Sequence, residues 1–259
     1  MGILDGKVAI ITGCASGLGK QQALRFADEG ATVAICDIQE EKLMATKELC
    51  EERGAKALAL GVDVTDYVAL VAFVDATVEA FGTIDVLVNN AHAITSPGPF
   101  LEKTIEDLDL EMRSSVYAYW HLMKLCFPHM SNHPGAGASI INFASAAGVA
   151  GDALYAPYAA CKEGVRGLSR VVAREWGEYN IRVNTLCPNG FTENVAAGID
   201  ALSAQAQDYV RKAFVDNPFG RAGDPYNDVA PVVVFLASDA SHWMTGQNLH
   251  ADGGVQISA

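Results

Sequence analysis

Clustered lysine and arginine are what this chain most plainly lacks. Its 18 basic residues are outnumbered by 31 acidic ones, for a formal net charge of -13. Phosphate backbones recruit clustered cations, so no nucleic-acid partner is expected. No apolar run reaches the length of a membrane span, and "MGILDGKVAIITG" passes into a strand without a signal-peptide pattern. A soluble, cytoplasmic protein is therefore expected. The six cysteines (Cys14, Cys36, Cys50, Cys126, Cys161, Cys187) form no CxxC pair, and the six histidines form no HExxH group. Reduced thiols and no metal are the expectation. Cys14, Cys161 and Cys187 fall inside the motifs below and read as small fillers. No Pro/Gly/Ser-rich linker, repeat or low-complexity segment divides the 259 residues, of which 50% are hydrophobic. Residues 1–259 read as one domain around one well-buried core.

What is present is an alternation of short β-branched runs with longer helical patterns. The strand candidates are "KVAIIT", "TVAICD", "KALALGVD", "DVLVNN", "SIINFAS", "IRVNTLCP" and "NLHADGG". Near-continuously apolar strands separated by helices predict a parallel sheet covered on both faces, a doubly wound α/β fold of Rossmann type. The stretch from about 189 to 218 lacks strand patterning and interrupts the alternation. An insertion after a strand lies at the carboxyl edge of such a sheet, where ligands bind, and reads as a substrate loop.

Two stretches carry chemistry. "TGCASGLG" (Thr12 to Gly19) leads from the first strand straight into a helix. Gly13 suits a tight turn, Gly17 a close backbone approach to a pyrophosphate, and Gly19 close helix packing. Ser16 and Leu18 share that loop, and the phosphates would sit on the helix N-terminus. The spacing is wider than GxGxxG. Asp37 ends the second strand, where a carboxylate can accept hydrogen bonds from an adenosine ribose and repel a 2′-phosphate, pointing to NAD over NADP. The competing reading of Asp37 is a cap on the next helix. In "APYAACKEG", Tyr158 and Lys162 stand four apart on one helix face. Alone, such a pair can arise by composition.

Thirteen residues before Tyr158 lies Ser145, in "INFASAAG". With TGxxxGxG, the "DVT" at Asp63, an NNA after the fourth strand, Ser145, YxxxK and a "PNG" after the sixth strand, all in order, the whole chain resembles the short-chain dehydrogenase/reductase family. The resemblance implies a seven-stranded Rossmann-type sheet, hydride transfer between a nicotinamide and a carbonyl or alcohol carbon, and commonly a homotetramer. It implies that Ser145 bonds the substrate oxygen, that Tyr158 is the general acid/base, and that Lys162 binds the nicotinamide ribose and lowers the phenol's pKa. Asp63 and Val64 would flank the adenine, Asn90 and Ala91 the ribose, and the residues after Pro188, chiefly Phe191 and Thr192, the carboxamide. "NNAHA", "INFASAAG" and "YAACKEGVRGLSRVVAREWG" look most like a bacterial hydroxysteroid dehydrogenase subgroup.

Three positions depart from the pattern. His92 stands where the family has glycine and reads as loop filler, or as a contact to substrate or nicotinamide. Asn189 replaces a glycine, which is tolerable because Asn accepts left-handed dihedrals. Ser115 replaces the asparagine that supports a proton-relay water beside the lysine. The expectation is a local break in the helix there, with the Ser115 hydroxyl bonded back one turn and the relay kept. The aromatic helix around Tyr117, Tyr119 and Trp120 reads as core or subunit interface. The main reading is an NAD-dependent oxidoreductase acting on a small-molecule secondary alcohol or ketone, bulky and alicyclic or steroid-like. The alternatives are an enoyl reductase, whose relatives place tyrosine seven residues before the lysine as Tyr155 stands here, and a non-catalytic NAD-binding member.

Overall fold

The computed structural model describes residues 2–131, 137–200 and 204–257, so His133 and part of the 189–218 insertion lie outside the described residues. The elements alternate as the pattern predicts: β1 (Val8–Thr12), α1 (Gly17–Asp28), β2 (Thr32–Asp37), α2 (Glu40–Glu52), β3 (Ala57–Gly61), α3 (Tyr67–Phe81) and β4 (Val86–Asn89). Next come α4 (Ile105–Met112), α5 (Ala118–Met130), β5 (Ala138–Phe143), α6 (Ala146–Ala150), α7 (Ala156–Glu175) and β6 (Ile181–Pro188). The chain closes with α8 (Glu193–Asp200), α9 (Ala204–Val215), α10 (Ala230–Ala237) and β7 (Asn248–Ala251).

The strands form one seven-stranded sheet in the order β3-β2-β1-β4-β5-β6-β7, with every pairing parallel. Successive side chains of a strand point to opposite faces, and here both faces are covered. Ala9 and Ile11, Val33 and Ile35, and Val86 and Val88 join Phe26, Leu43 and Val233 in one core. Ile10, Ala34 and Leu87 join Phe73, Leu122 and Val172 in the other. This is why the strands read as unbroken apolar runs. The amides of two polar exceptions inside the sheet are paired: Asn89 Nδ2 donates to Asn142 Oδ1 (2.7 Å), whose own amide donates to Ser169 Oγ (2.8 Å).

Strand order reverses between β1 and β4, so the loops leaving their carboxyl ends diverge and open a crevice, the usual ligand position in such sheets. The insertion after β6 folds as α8 and α9, anchored by the Phe191 N–H on Gly223 O (2.8 Å). Asn189 does not adopt the left-handed conformation expected of it: among the described non-glycine residues only Leu154 (φ 75°) and Asn180 (φ 58°) do. Its N–H instead donates to Ala251 O (2.9 Å), carrying the β6–β7 pairing one residue further, which requires an extended backbone.

Between α4 and α5 the helix is broken by a π turn over Arg113–Tyr117. Such turns interrupt the i→i−4 ladder and expose carbonyls. The break stands where the sequence predicts one, but the hydroxyl bonded back to the preceding turn belongs to Ser114, whose Oγ donates to Leu110 O (2.9 Å) and accepts from the Ala93 N–H (3.1 Å). Ser115 Oγ is buried with no partner among the described residues, because the wider turn rotates it inward toward α7. The Ser115 carbonyl accepts from the Ala118 N–H.

Candidate active site

The loop between β1 and α1 is a cradle that only glycine can build. Gly13 (φ 74°) and Gly17 (φ 60°) are left-handed, and a Cβ on Gly19 would stand 2.0 Å from Gly13 O. The loop after β4 braces it from the other side of the crevice. Asn90 Nδ2 donates to Thr12 O (2.8 Å), and Thr12 Oγ1 accepts from the backbone N–H groups of Asn90 (3.1 Å) and Ala91 (2.9 Å). A cleft of about 510 Å³ runs along this seam. Gly13, Ser16, Gly17, Leu18, Gly19, Asp37, Asp63, Val64, Asn90, Ala91 and Thr192 all line it, as the sequence predicts. Both Asp37 oxygens are held by backbone, Oδ2 by the Ala15 N–H and Oδ1 by the Gln39 N–H (3.0 Å each), so the carboxylate cannot swing away. Asp63 Oδ1 likewise accepts from Thr65 N–H and Oγ1 (2.8 Å each).

Ser145, Tyr158 and Lys162 come together behind His92, which lines the seam; the three themselves do not line it. Ser145 caps α6, accepting the Ala147 N–H (3.2 Å), and lies close enough to the Tyr158 phenol to favour its charged form. Lys162 is buried, its Nζ donating to Phe143 O (3.0 Å) and lying 5.7 Å from the ring centroids of both Tyr158 and Tyr119. Burial disfavours charge, and it dominates here. It pushes the Tyr158 phenol up to about 12 against the opposing pull of Ser145, and brings the Lys162 ammonium down to about 8. The expectation that Lys162 lowers the phenol's pKa concerns the site with an oxidised nicotinamide beside it and belongs to the proposal below.

His92 is not loop filler. Its ring packs against Tyr158 (centroids 5.2 Å apart, 58° between planes), and its Nε2 stands 3.3 Å from Glu111 Oε2. Glu111 is fully buried; its other oxygen accepts from Thr95 N–H (3.0 Å) and Oγ1 (2.6 Å). Burial and the Lys162 charge bring the imidazole down to about 4, against the pull of Glu111, so it is neutral at physiological pH. Burial raises the Glu111 carboxyl, but the contacts from His92 and Thr95 outweigh it and hold the group below its ordinary value. Cys161 completes a cluster with His92 and Glu111 whose N, O and S atoms lie within 4.8 Å of one another. Its thiol, raised by burial, donates to Tyr158 O (3.1 Å). All six cysteines are buried and free.

A family model described as enoyl-(acyl carrier protein) reductase matches residues 13–256. A 12alpha-hydroxysteroid dehydrogenase of a Clostridium species is 41% identical over 264 residues, covering 98% of each chain. The trans-4-hydroxycyclohexanecarboxylate dehydrogenase of Sinomonas cyclohexanicum is 38% identical over 96% of this chain and 92% of its own. The chain belongs to the short-chain dehydrogenase/reductase family. Among solved structures, a 7 alpha-hydroxysteroid dehydrogenase complexed with NADH and 7-oxo glycochenodeoxycholic acid superposes with a TM-score of 0.88 at 32% identity, covering 97% of this chain and 94% of its own.

As a short-chain dehydrogenase/reductase the protein is an oxidoreductase that binds a nicotinamide cofactor, and the cradle fits that group. A side chain at Gly13 would meet Asn90 Nδ2 and Ala91 Cα at 2.9 Å, so the loop keeps its backbone bare where a diphosphate approaches. One contact competes with it. The Gly17 N–H, first in α1, donates to the Glu193 carboxylate (2.9 Å), while Asn194 Nδ2 donates to Ser16 Oγ (2.9 Å). A carboxylate and a phosphate oxygen cannot share that N–H. Glu193→Gln should therefore tighten NAD(H) binding about two- to five-fold, the worth of one anion at a helix N-terminus. Calorimetric titration measures it, and unchanged or weaker binding would remove Glu193 from the argument.

Among residues the sequence placed in the site, Pro188 and Phe191 lie beside the cleft without lining it: Phe191 packs edge-on against Phe214 at 5.2 Å. Glu111, Glu193 and Asn194 were not anticipated. Glu111 shares a helix face with Ser115 at i, i+4, which was a usable signal. Glu193 and Asn194 offered none.

Proposed function

We propose that the protein interconverts a secondary alcohol and a ketone on a bulky alicyclic, steroid-like substrate, using NAD(H). The observation that carries this reading is the meeting of Ser145, Tyr158 and Lys162 directly behind His92, a residue that lines the glycine-rich cleft. The nicotinamide supplies the hydride acceptor or donor. In ketone reduction, Ser145 and Tyr158 both donate hydrogen bonds to the carbonyl oxygen, and Tyr158 transfers its proton as that oxygen gains charge. Burial suits this direction, since it keeps the phenol protonated at rest. Oxidation needs the reverse, a phenolate. Bringing the phenol down by two or three units takes about 3 to 4 kcal/mol of differential stabilisation, within reach of the Lys162 ammonium and an oxidised ring held close. A relay water at Ser115 would share that residue's carbonyl with the Ala118 N–H. Asn90 and Ala91 would flank the ribose, and Thr192, with Pro188 and Phe191 beside the cleft, would hold the carboxamide.

The segment 189–218, folded largely as α8 and α9, gates the substrate, and Phe191 against Phe214 gives its inner side an apolar lining. The hydroxysteroid and hydroxycyclohexane substrates named for the relatives support a ring-shaped alcohol. A homotetramer belongs to the same reading, in line with half-exposed Tyr117 and Trp120 beside the π turn. So does a cytoplasmic location, in line with six buried free thiols. The enoyl-reductase description of the family model does not displace this reading, because Ser145 engages Tyr158, while Tyr155 sits 6.2 Å away at the start of α7.

Turnover of a panel of cyclic secondary alcohols and ketones with NAD(H) and NADP(H) tests the proposal. The expected result is activity on bulky ring substrates with NAD(H) preferred, and discrimination relaxed in Asp37→Ala. Lys42, which reaches Gln39 Oε1 (2.8 Å), is the cation that could soften the discrimination. Equal kcat/KM for both cofactors would overturn the NAD assignment. A preference for small charged hydroxy acids would overturn the substrate class.

A further inference from the structure

Behind Tyr158 lie four buried polar atoms without a hydrogen-bond partner among the described residues: Nδ1 and Nε2 of His92, Oε2 of Glu111 and Oγ of Ser115. Buried polar groups are nearly always paired, so a group of orphans in one place marks functional chemistry or bound solvent. They come from separate elements, His92 from the loop after β4, Glu111 from α4 and Ser115 from the π turn. His92 Nε2 and Glu111 Oε2 are near each other (3.3 Å) but lack hydrogen-bond alignment. From Glu111 a chain of bonds leads outward, Thr95 Oγ1 to Glu111 Oε1 (2.6 Å) and Lys103 Nζ to Thr95 Oγ1 (3.1 Å), with Lys103 beside the partly exposed Asp107.

We propose that Glu111, acting through His92, is a positioning residue that sets the proton affinity of the Tyr158–Lys162 pair. This rests on the dehydrogenase reading above. A buried carboxylate one ring away from the phenol opposes phenolate formation and supports the ammonium, so it favours the protonated form of both groups. The neutral imidazole between them holds the carboxylate at that distance and presses on the face of the phenol ring. The other groups facing Tyr158 are Lys162, Cys161 and Tyr155 on its own helix, Tyr119 from α5, Ser145 after β5 and Cys187 from β6. Of these only Lys162 carries charge at neutral pH, so Glu111 is the one anion in the group. The inward push of Glu111 on Tyr158 and on Lys162 agrees in sign with this placement.

A divalent cation held by His92, Glu111 and Cys161 is the competing occupant of the cluster. The Lys162 ammonium beside it and the raised Cys161 thiol, still donating to Tyr158 O, argue against that.

The test is the pH profile of kcat/KM for alcohol oxidation in Glu111→Gln, which keeps an acceptor for Thr95, and in His92→Gly, which restores the family's residue. In Glu111→Gln the acid limb should move about one unit toward lower pH, and oxidation near neutral pH should speed relative to reduction. In His92→Gly the same Glu111 substitution should shift the limb by less than half as much. A merely structural role would lower kcat or stability and leave the limb in place, and that result would overturn the proposal. Stoichiometric Co²⁺ binding with a thiolate charge-transfer band, lost in Cys161→Ser, would overturn it in favour of a metal site. Should Glu111→Gln fail to fold, Thr95→Val removes the hydroxyl bond to Glu111 Oε1, raises that carboxyl toward protonation, and should move the limb toward lower pH by a smaller amount. No movement there would equally overturn the proposal.

Discussion

Tyr158→Phe should lower kcat about a thousand-fold while leaving NAD(H) affinity within a few-fold. In the proposed reaction the phenol oxygen passes the proton to the substrate, and general acid/base groups contribute about 10²- to 10⁴-fold. The ring itself is wedged between His92 at 5.2 Å and Tyr155 at 6.2 Å, and phenylalanine keeps both contacts. Ser145 loses one partner but retains the Ala147 N–H, so α6 keeps its cap. Cofactor titration and single-turnover rates separate the two effects. Retention of more than about a tenth of the wild-type kcat would mean that another group moves the proton.

Gly19→Ala should cripple cofactor binding through one methyl group. Its Cβ would stand 2.0 Å from Gly13 O and 2.7 Å from Asn90 Nδ2, and the first of these is backbone that cannot turn aside. Relief requires α1 to move away from the β1 loop, which breaks the alignment of N–H groups that a diphosphate needs. Overpacking of this kind costs about 1 to 3 kcal/mol of stability, or a Tm lower by about 3 to 10 °C in a domain of this size. NAD(H) affinity should fall by more than the stability loss suggests, on the order of a hundred-fold or about 2.7 kcal/mol. Affinity within three-fold of wild type in a folded variant would show that the cradle tolerates a Cβ.

The sheet was legible because its inner strands are buried on both sides, so Val8–Thr12 or Ser139–Phe143 could hardly be read as anything else. The cradle was legible for a different reason. A left-handed turn and a helix packed against backbone both demand glycine, and that demand appears in sequence as spacing. The break in the helix was inferable from Ser115, but the assignment of the bonding hydroxyl was not. The bond from Ser114 to Leu110 O is an ordinary i→i−4 back-bond, open in a helix to either serine, so the sequence could not choose between them. The relation between His92 and Glu111 was invisible, since the two meet only through tertiary packing and each has an ordinary local context. Burial of the phenol was invisible too, because a sequence displays charges but not what surrounds them.

The contact between Glu193 and the Gly17 N–H also bears on how the cofactor leaves. A carboxylate tethered a few ångströms away acts at an effective concentration of millimolar or more, far above that of a free competitor of equal affinity. Departure of the diphosphate is then an exchange of one anion for another, with the helix N-terminus never left to water. Cofactor exit limits turnover in many enzymes of hydride transfer and lid closure, and here the lid itself would carry the displacing group.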